Sequence, residues 1–104
     1  MFKNLTPHSV SFVKMDGKVE QLVPEPIAAR VFTVENYETT IDGVDIFNLS
    51  YGQVENLPEP ENGVFFVVSK MVRDACPDRT DLFYPTRLIR DETGVIVGCG
   101  GLAH

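Results

Sequence analysis

At 104 residues, with 43% apolar and 23% charged side chains, the sequence has room for a single domain over 1–104 with one core, and its composition argues against wholesale disorder. A formal net charge of −6 makes the surface a poor long-range partner for nucleic acid. The longest apolar run, Val64–Val68, falls far short of the roughly 20 residues a membrane-crossing helix needs. The opening Met1-Phe2-Lys3-Asn4-Leu5-Thr6-Pro7 has no apolar stretch of the kind that marks a secretion signal, so the expected setting is the cytoplasm, without membrane contact. There Cys76 and Cys99 are expected to stay reduced, and two cysteines fall short of a zinc site; neither a metal nor a cofactor is expected.

In chain order, Ser9–Lys14 alternates in a β-like way. Asp16-Gly17 then supplies a turn and Val19–Val23 returns as a strand. Pro24-Glu25-Pro26 ends that strand, because proline offers the ladder no donor. Ala29–Val34 reads as a third strand. Tyr37–Ile41 and Val44–Tyr51 flank Asp42-Gly43, a second hairpin of the same chemistry. Tyr51-Gly52 and Leu57-Pro58-Glu59-Pro60 break the pattern into a loop. Val64–Val68 is a continuous run of β-formers, expected as a central strand buried on both faces. Ser69 caps a short helix over Lys70–Cys76, with Met71, Val72 and Ala75 on one face, and Pro77 ends it. Asp78–Pro85 reads as a loop or irregular strand. Arg87–Arg90 and Val95–Cys99 flank Asp91-Glu92-Thr93-Gly94 as a third hairpin, and Gly98, Gly100 and Gly101 mark a tail that is mobile or closely approached. The expected class is α+β, mostly β: an antiparallel sheet curled toward a small barrel or sandwich, with one short helix.

Charge is uneven along the chain. Residues 1–68 hold four basic and ten acidic side chains, whereas residues 69–90 hold five basic (Lys70, Arg73, Arg79, Arg87, Arg90) and three acidic. Arginine presents a rigid fork of donors suited to carboxylates and phosphates. The candidate ligand residues are therefore Arg79, Asp81 and Arg90, with Tyr51 or Tyr84 stacking over a flat group and His8 at the edge. In the competing structural reading, Arg79 or Arg90 pairs with Asp81 or Asp91 and holds a loop against the sheet. If the stretch is extended, Arg87 and Arg90 fall on opposite faces. Cys76 ends a helix and Cys99 sits in an apolar strand, so both read as structural, and no catalytic residue is assigned.

Four stretches in order carry a resemblance: Leu5-Thr6-Pro7-His8; Tyr51-Gly52-Gln53-Val54 with Leu57-Pro58-Glu59-Pro60; Val67-Val68-Ser69; and Arg79-Thr80-Asp81-Leu82 followed by Ile89-Arg90-Asp91-Glu92-Thr93-Gly94 through Cys99. Together they resemble a family of small uncharacterised proteins of bacteriophages, prophages and actinobacterial genomes. The resemblance implies a genomic setting rather than a chemistry.

Three functions compete. The first is a non-enzymatic phage or prophage accessory protein that binds a small anionic ligand, a nucleotide among the candidates, in a pocket between protomers of a homo-oligomer. The second is an interaction or structural module for a host or phage protein. The third is a small hydrolase or transferase using His8 with an aspartate. The first is preferred, because the only locally basic stretch lies in the most characteristic segments.

Overall fold

A computed structural model describes residues 1–104. The chain is mostly β with one short helix. Its strands are β1 (Phe2–Asn4), β2 (Val10–Val13), β3 (Val19–Leu22), β4 (Arg30–Ile41), β5 (Val44–Glu55), β6 (Phe65–Val67), β7 (Leu82–Arg90) and β8 (Ile96–Ala103), with α1 (Lys70–Ala75) between β6 and β7.

Six strands form one sheet in the order β1-β6-β7-β8-β2-β3, and β4 and β5 pair only with each other. The sheet edges nearly meet. Asn4 bridges to Pro24 just beyond β3, and the Glu25 amide donates to the Asn4 carbonyl at 2.8 Å, curling the sheet toward a barrel. The sheet is mixed where hairpin chemistry suggested an antiparallel one: β1–β6, β6–β7 and β2–β8 are parallel, and β2–β3 and β7–β8 antiparallel. The helix is the cause at β6–β7. It returns the chain to the same end of the sheet, as a parallel connection requires. Ser69 starts this helix as the sequence suggests, its Oγ accepting the Val72 amide at 3.2 Å.

The Asp-Gly turns form as read. Asp42 and Gly43 take φ of 49° and 77°, the left-handed pair a tight hairpin turn needs. Two expectations shift. The break seen at Tyr51-Gly52 is spanned by β5, and the irregular stretch before Pro85 is already strand in β7. Proline is tolerated there because Pro85, opposite Leu102 in β8, lies past Leu82 and Phe83, where the pairing with β6 ends, so that side of the strand is an edge.

Leu5, Ala29, Val64, Phe66, Val68, Val72 and Leu82 form the main core, with Val31, Val54, Leu57 and Cys76 packed against it. It lies between β6–β7, the helix and the base of the β4–β5 hairpin. Val67, whose side chain alternates to the opposite face of β6, is also fully buried, but Phe65 on that same face is 39% exposed, so the expected burial on both faces holds only over Phe66–Val68.

One polar residue is buried with the core. Asn4 is 0% exposed, and its amide donates to the carbonyls of His8 (2.8 Å) and Leu22 (3.0 Å). Its Oδ1 accepts from the Thr6 amide and hydroxyl at 2.9 and 2.6 Å. Asn4 thus stitches the seam where β1 meets the end of β3, and its hydrogen-bonding capacity is used in full, which is what makes its burial tolerable.

Candidate functional site

The segments most characteristic in sequence are packing devices in the fold. Arg79 grips Asp81 with two parallel bonds, Nε to Oδ1 at 2.8 Å and Nη2 to Oδ2 at 2.9 Å, and Nη2 also reaches the Pro58 carbonyl at 2.9 Å. This pins the Leu57–Pro60 loop beside Leu82, whose side chain is wholly buried. The guanidinium holds the Asp81 carboxyl below the usual carboxylate range, and the carboxylate in turn raises the Arg79 pKa. Arg90, at the far end of β7, donates to the Gly94 carbonyl at 2.9 Å. Asp91 Oδ1 accepts from the Thr93 amide and hydroxyl and from the Val95 amide, closing the loop and depressing its own pKa.

Arg79 and Asp81 are therefore together, and Arg90 is apart. The nine residues of β7 separate them by about 30 Å at full strand rise, beyond the span of one small anion. Tyr84 lies beside the helix, where the Lys70 ammonium, held by Asp74 at 2.9 Å, sits 6.0 Å from its ring centre; the same ammonium also feels Tyr51. His8 is exposed, and the fold uses its main-chain carbonyl, which accepts from Asn4 and Thr6.

A cavity lies elsewhere on the surface. It has a volume of about 1070 Å³ and opens among β2, β3, β7 and β8, with Phe2, Phe12, Leu22, Ile89 and Leu102 in its walls. Its charged side chains are Lys14, Glu20 and Arg87; Met1, whose ammonium donates to the Gly63 carbonyl at 2.7 Å, also lines it. Lys14 and Glu20 neutralise each other as an ion pair, which raises the Lys14 pKa. The Arg87 side chain is exposed and forms no hydrogen bond or ion pair with the protein. Among the side chains that line the cavity it is the cation without an acidic partner.

The backbone at Arg87 is unusual as well. It takes φ of 53°, a left-handed conformation that costs a non-glycine residue about 1 kcal/mol or more, in the middle of a strand. Its neighbours accommodate it. A Cβ added at Gly100 would stand 3.4 Å from Arg87 Cβ, and one at Gly101 would lie 3.8 Å from Arg87 Cδ, ordinary contact distances, so the arginine stem runs along β8 beside these two glycines. A glycine would meet the backbone requirement without strain. Arginine instead places a five-donor fork among the residues that line the hollow.

Sequence reasoning placed Arg87 in the basic stretch but chose its neighbours, because Arg79 and Arg90 stood in the recognisable segments. The sequence marks Gly100-Gly101 as mobile or closely approached, and the structure supplies the group that approaches, Arg87 on the neighbouring strand. The hollow itself had no local signal, since it is made by the parallel β2–β8 pairing of distant segments.

The cysteines take no part. Cys99 is buried, and burial raises its thiol pKa, away from the thiolate a nucleophile needs; both cysteines are unpaired. No three His, Cys, Asp or Glu side chains converge on a point, and no helix is long and apolar enough to cross a membrane.

Comparisons with protein-family models, with curated proteins and with solved structures returned no match for this chain.

Proposed function

We propose that this protein is a non-enzymatic accessory protein of the phage and prophage type that binds a small anionic ligand in the cytoplasm, and that the ligand lies in the Arg87 cavity. The observation that carries the reading is the unpartnered Arg87 guanidinium, held in a left-handed backbone conformation on the wall of an otherwise apolar hollow. Such a cavity suits a ligand with one anionic group and an apolar or flat body: the charge pairs with Arg87 and the body lies on Phe12, Leu22 and Ile89. A nucleoside monophosphate meets this description through its phosphate and base, and a medium-chain carboxylate through its head and tail.

The pairing of Arg79 with Asp81 moves the proposed anion contact away from the arginine first favoured by the sequence. The hydrolase or transferase reading draws no support from the geometry, because the exposed His8 imidazole meets no carboxylate.

The test is a thermal-shift series on the full chain with inorganic phosphate, a nucleoside monophosphate, the matching neutral nucleoside, a medium-chain carboxylate and its methyl ester. A ligand that binds only the folded state at a hundredfold excess over its dissociation constant adds about 2.7 kcal/mol of stability, a readily measured shift. The expected result is stabilisation by an anion with an apolar body and a weaker effect from its neutral counterpart. Equal stabilisation by the neutral molecule, or none by any anion, would overturn the reading.

A further inference from the structure

With an anion on Arg87, the rest of the hollow decides what body that anion carries. The hollow is built on β2, β3, β7 and β8 with Met1 and Phe2. The β4–β5 hairpin, an arm that packs on the core at its base through Val31 and Val54, contributes nothing to it. Apart from Lys14, Glu20 and Arg87, every side chain of the lining is aliphatic, methionine or phenylalanine, or is missing altogether at Gly100 and Gly101. No Ser, Thr, Asn, Gln, Asp, Tyr or His lines it. Lys14 and Glu20 pair with each other, and the Met1 ammonium donates to the Gly63 carbonyl. Main-chain groups are engaged in the β2–β3 and β7–β8 ladders, and the Leu22 carbonyl accepts the Asn4 side-chain amide at 3.0 Å. Arg87 is the polar side chain left over.

This inventory separates two kinds of anion. A nucleoside monophosphate carries, besides its phosphate, ribose hydroxyls and the donors and acceptors of the base edge. On this lining they leave water without a side-chain partner, and each such group weakens binding by roughly tenfold. A straight-chain carboxylate has polar atoms at one end only. The guanidinium fork donates to both oxygens, and every further methylene adds apolar contact. Two of the chain's three methionines, Met1 and Met15, line the hollow, the first 70% exposed and the second wholly so. Methionine is unbranched and flexible and adapts to apolar ligands of variable shape. The apolar surface also runs on past the hollow: the Phe2 ring lies 5.6 Å from that of Phe65 and 5.9 Å from that of Phe83, and Phe2 and Phe65 are 42% and 39% exposed.

We propose that the ligand is a free, unbranched aliphatic monocarboxylate of medium to long chain, its carboxylate on Arg87 and its chain along Phe12, Leu22 and Ile89. The assignment rests on the Arg87 reading and adds to it the class of the body. A net charge of −6 favours the free acid over an anionic bilayer, which the chain as a whole repels.

The test is calorimetric titration of the full chain with hexanoate, octanoate and decanoate below their micelle concentrations, and with a nucleoside monophosphate. The proteins are the parent, Arg87→Gln, Ile89→Asn, Met15→Ser and, as a control on the arm, Leu49→Ala. Affinity should rise about fourfold per methylene in the parent and in Leu49→Ala, and the nucleoside monophosphate should bind more weakly than decanoate. Arg87→Gln should weaken all three acids by the same factor. Ile89→Asn should flatten the dependence on length. Met15→Ser, a change at a wholly exposed side chain that leaves folding intact, should weaken decanoate and spare hexanoate. Four results would overturn the alkyl assignment and leave the anion reading standing: an Arg87-dependent affinity for the nucleoside monophosphate that matches or exceeds that for decanoate, an affinity for the acids indifferent to chain length, a slope unchanged in both Ile89→Asn and Met15→Ser, or sedimentation with phosphatidylglycerol vesicles without affinity for the free acids. Binding of neither class of anion would remove that reading and the assignment together.

Discussion

Leu82 and Leu49 are the same residue in the same kind of element, yet one is fully buried and the other 58% exposed. Leu82 opens β7 in a sheet whose edges nearly meet, with the helix over one face. Leu49 sits midway along an arm with nothing packed on it. The body is covered because its sheet curls on itself and Asn4 seals the seam, whereas the arm is two strands with four free sides. β-propensity decides that both segments are strands and is silent on what covers them. In this protein the cover of the body comes from distant pairings. The arm has none within the chain.

The largest expected effect falls on the body. Leu82→Ala should cost about 3–4 kcal/mol, since it opens a cavity beside Phe66 and Val72 in the best-packed part of the molecule. A denaturant titration with an unchanged slope and a lower midpoint would show it. Asn4→Ala should cost about 3 kcal/mol, because the carbonyls of Leu22 and His8 and the Thr6 amide lose their partner at a buried seam. If Asn4→Ala melts like the parent, the seam does not hold the barrel together.

A smaller effect follows pH. The Arg79 guanidinium depresses the folded-state pKa of Asp81. The pair therefore contributes stability above the ordinary aspartate pKa, and this is lost as pH falls through the folded value. The denaturation midpoint should drop in acid, and Asp81→Asn should start lower at neutral pH and drop less. A variant that follows the parent's acid profile in parallel would show that the pair has no share in it. The smallest effect belongs to the arm: Leu49→Ala should change monomer stability by less than about 0.5 kcal/mol. A loss approaching that of Leu82→Ala would mean that the arm is packed against the body in solution.

Much of the body was legible. Asp16-Gly17 and Asp42-Gly43 announced their turns, Ser69 its helix, and Val64–Val68 a central strand, realised as Phe65–Val67 with Phe65 left exposed, because each of these is decided by local chemistry. The parallel pairings of β1 with β6 and of β2 with β8 were not legible, since no turn links those strands and only the closed sheet brings them together. The site divided in the same way. Arg79 and Asp81, two residues apart, were read as partners or as a site, and sequence alone left both open. Arg87 owes its position to a left-handed backbone angle and to glycines on the neighbouring strand, which only the pairing of β7 with β8 places opposite it.

The most direct measurement compares two arginines in one experiment: Arg87→Gln and Arg79→Gln, each carried through a denaturant melt and a titration with whichever anion stabilises the parent. Arg79→Gln should lose about 2 kcal/mol of stability, by leaving Asp81 and the Pro58 carbonyl without their donor, and should keep the parent's affinity once folded. Arg87→Gln should match the parent's stability and bind the anion roughly tenfold to a hundredfold more weakly, the loss of one charge-assisted contact. An Arg87→Gln protein that binds as tightly as the parent, or an Arg79→Gln protein that alone loses affinity, would contradict the assignment of the ligand to the Arg87 cavity.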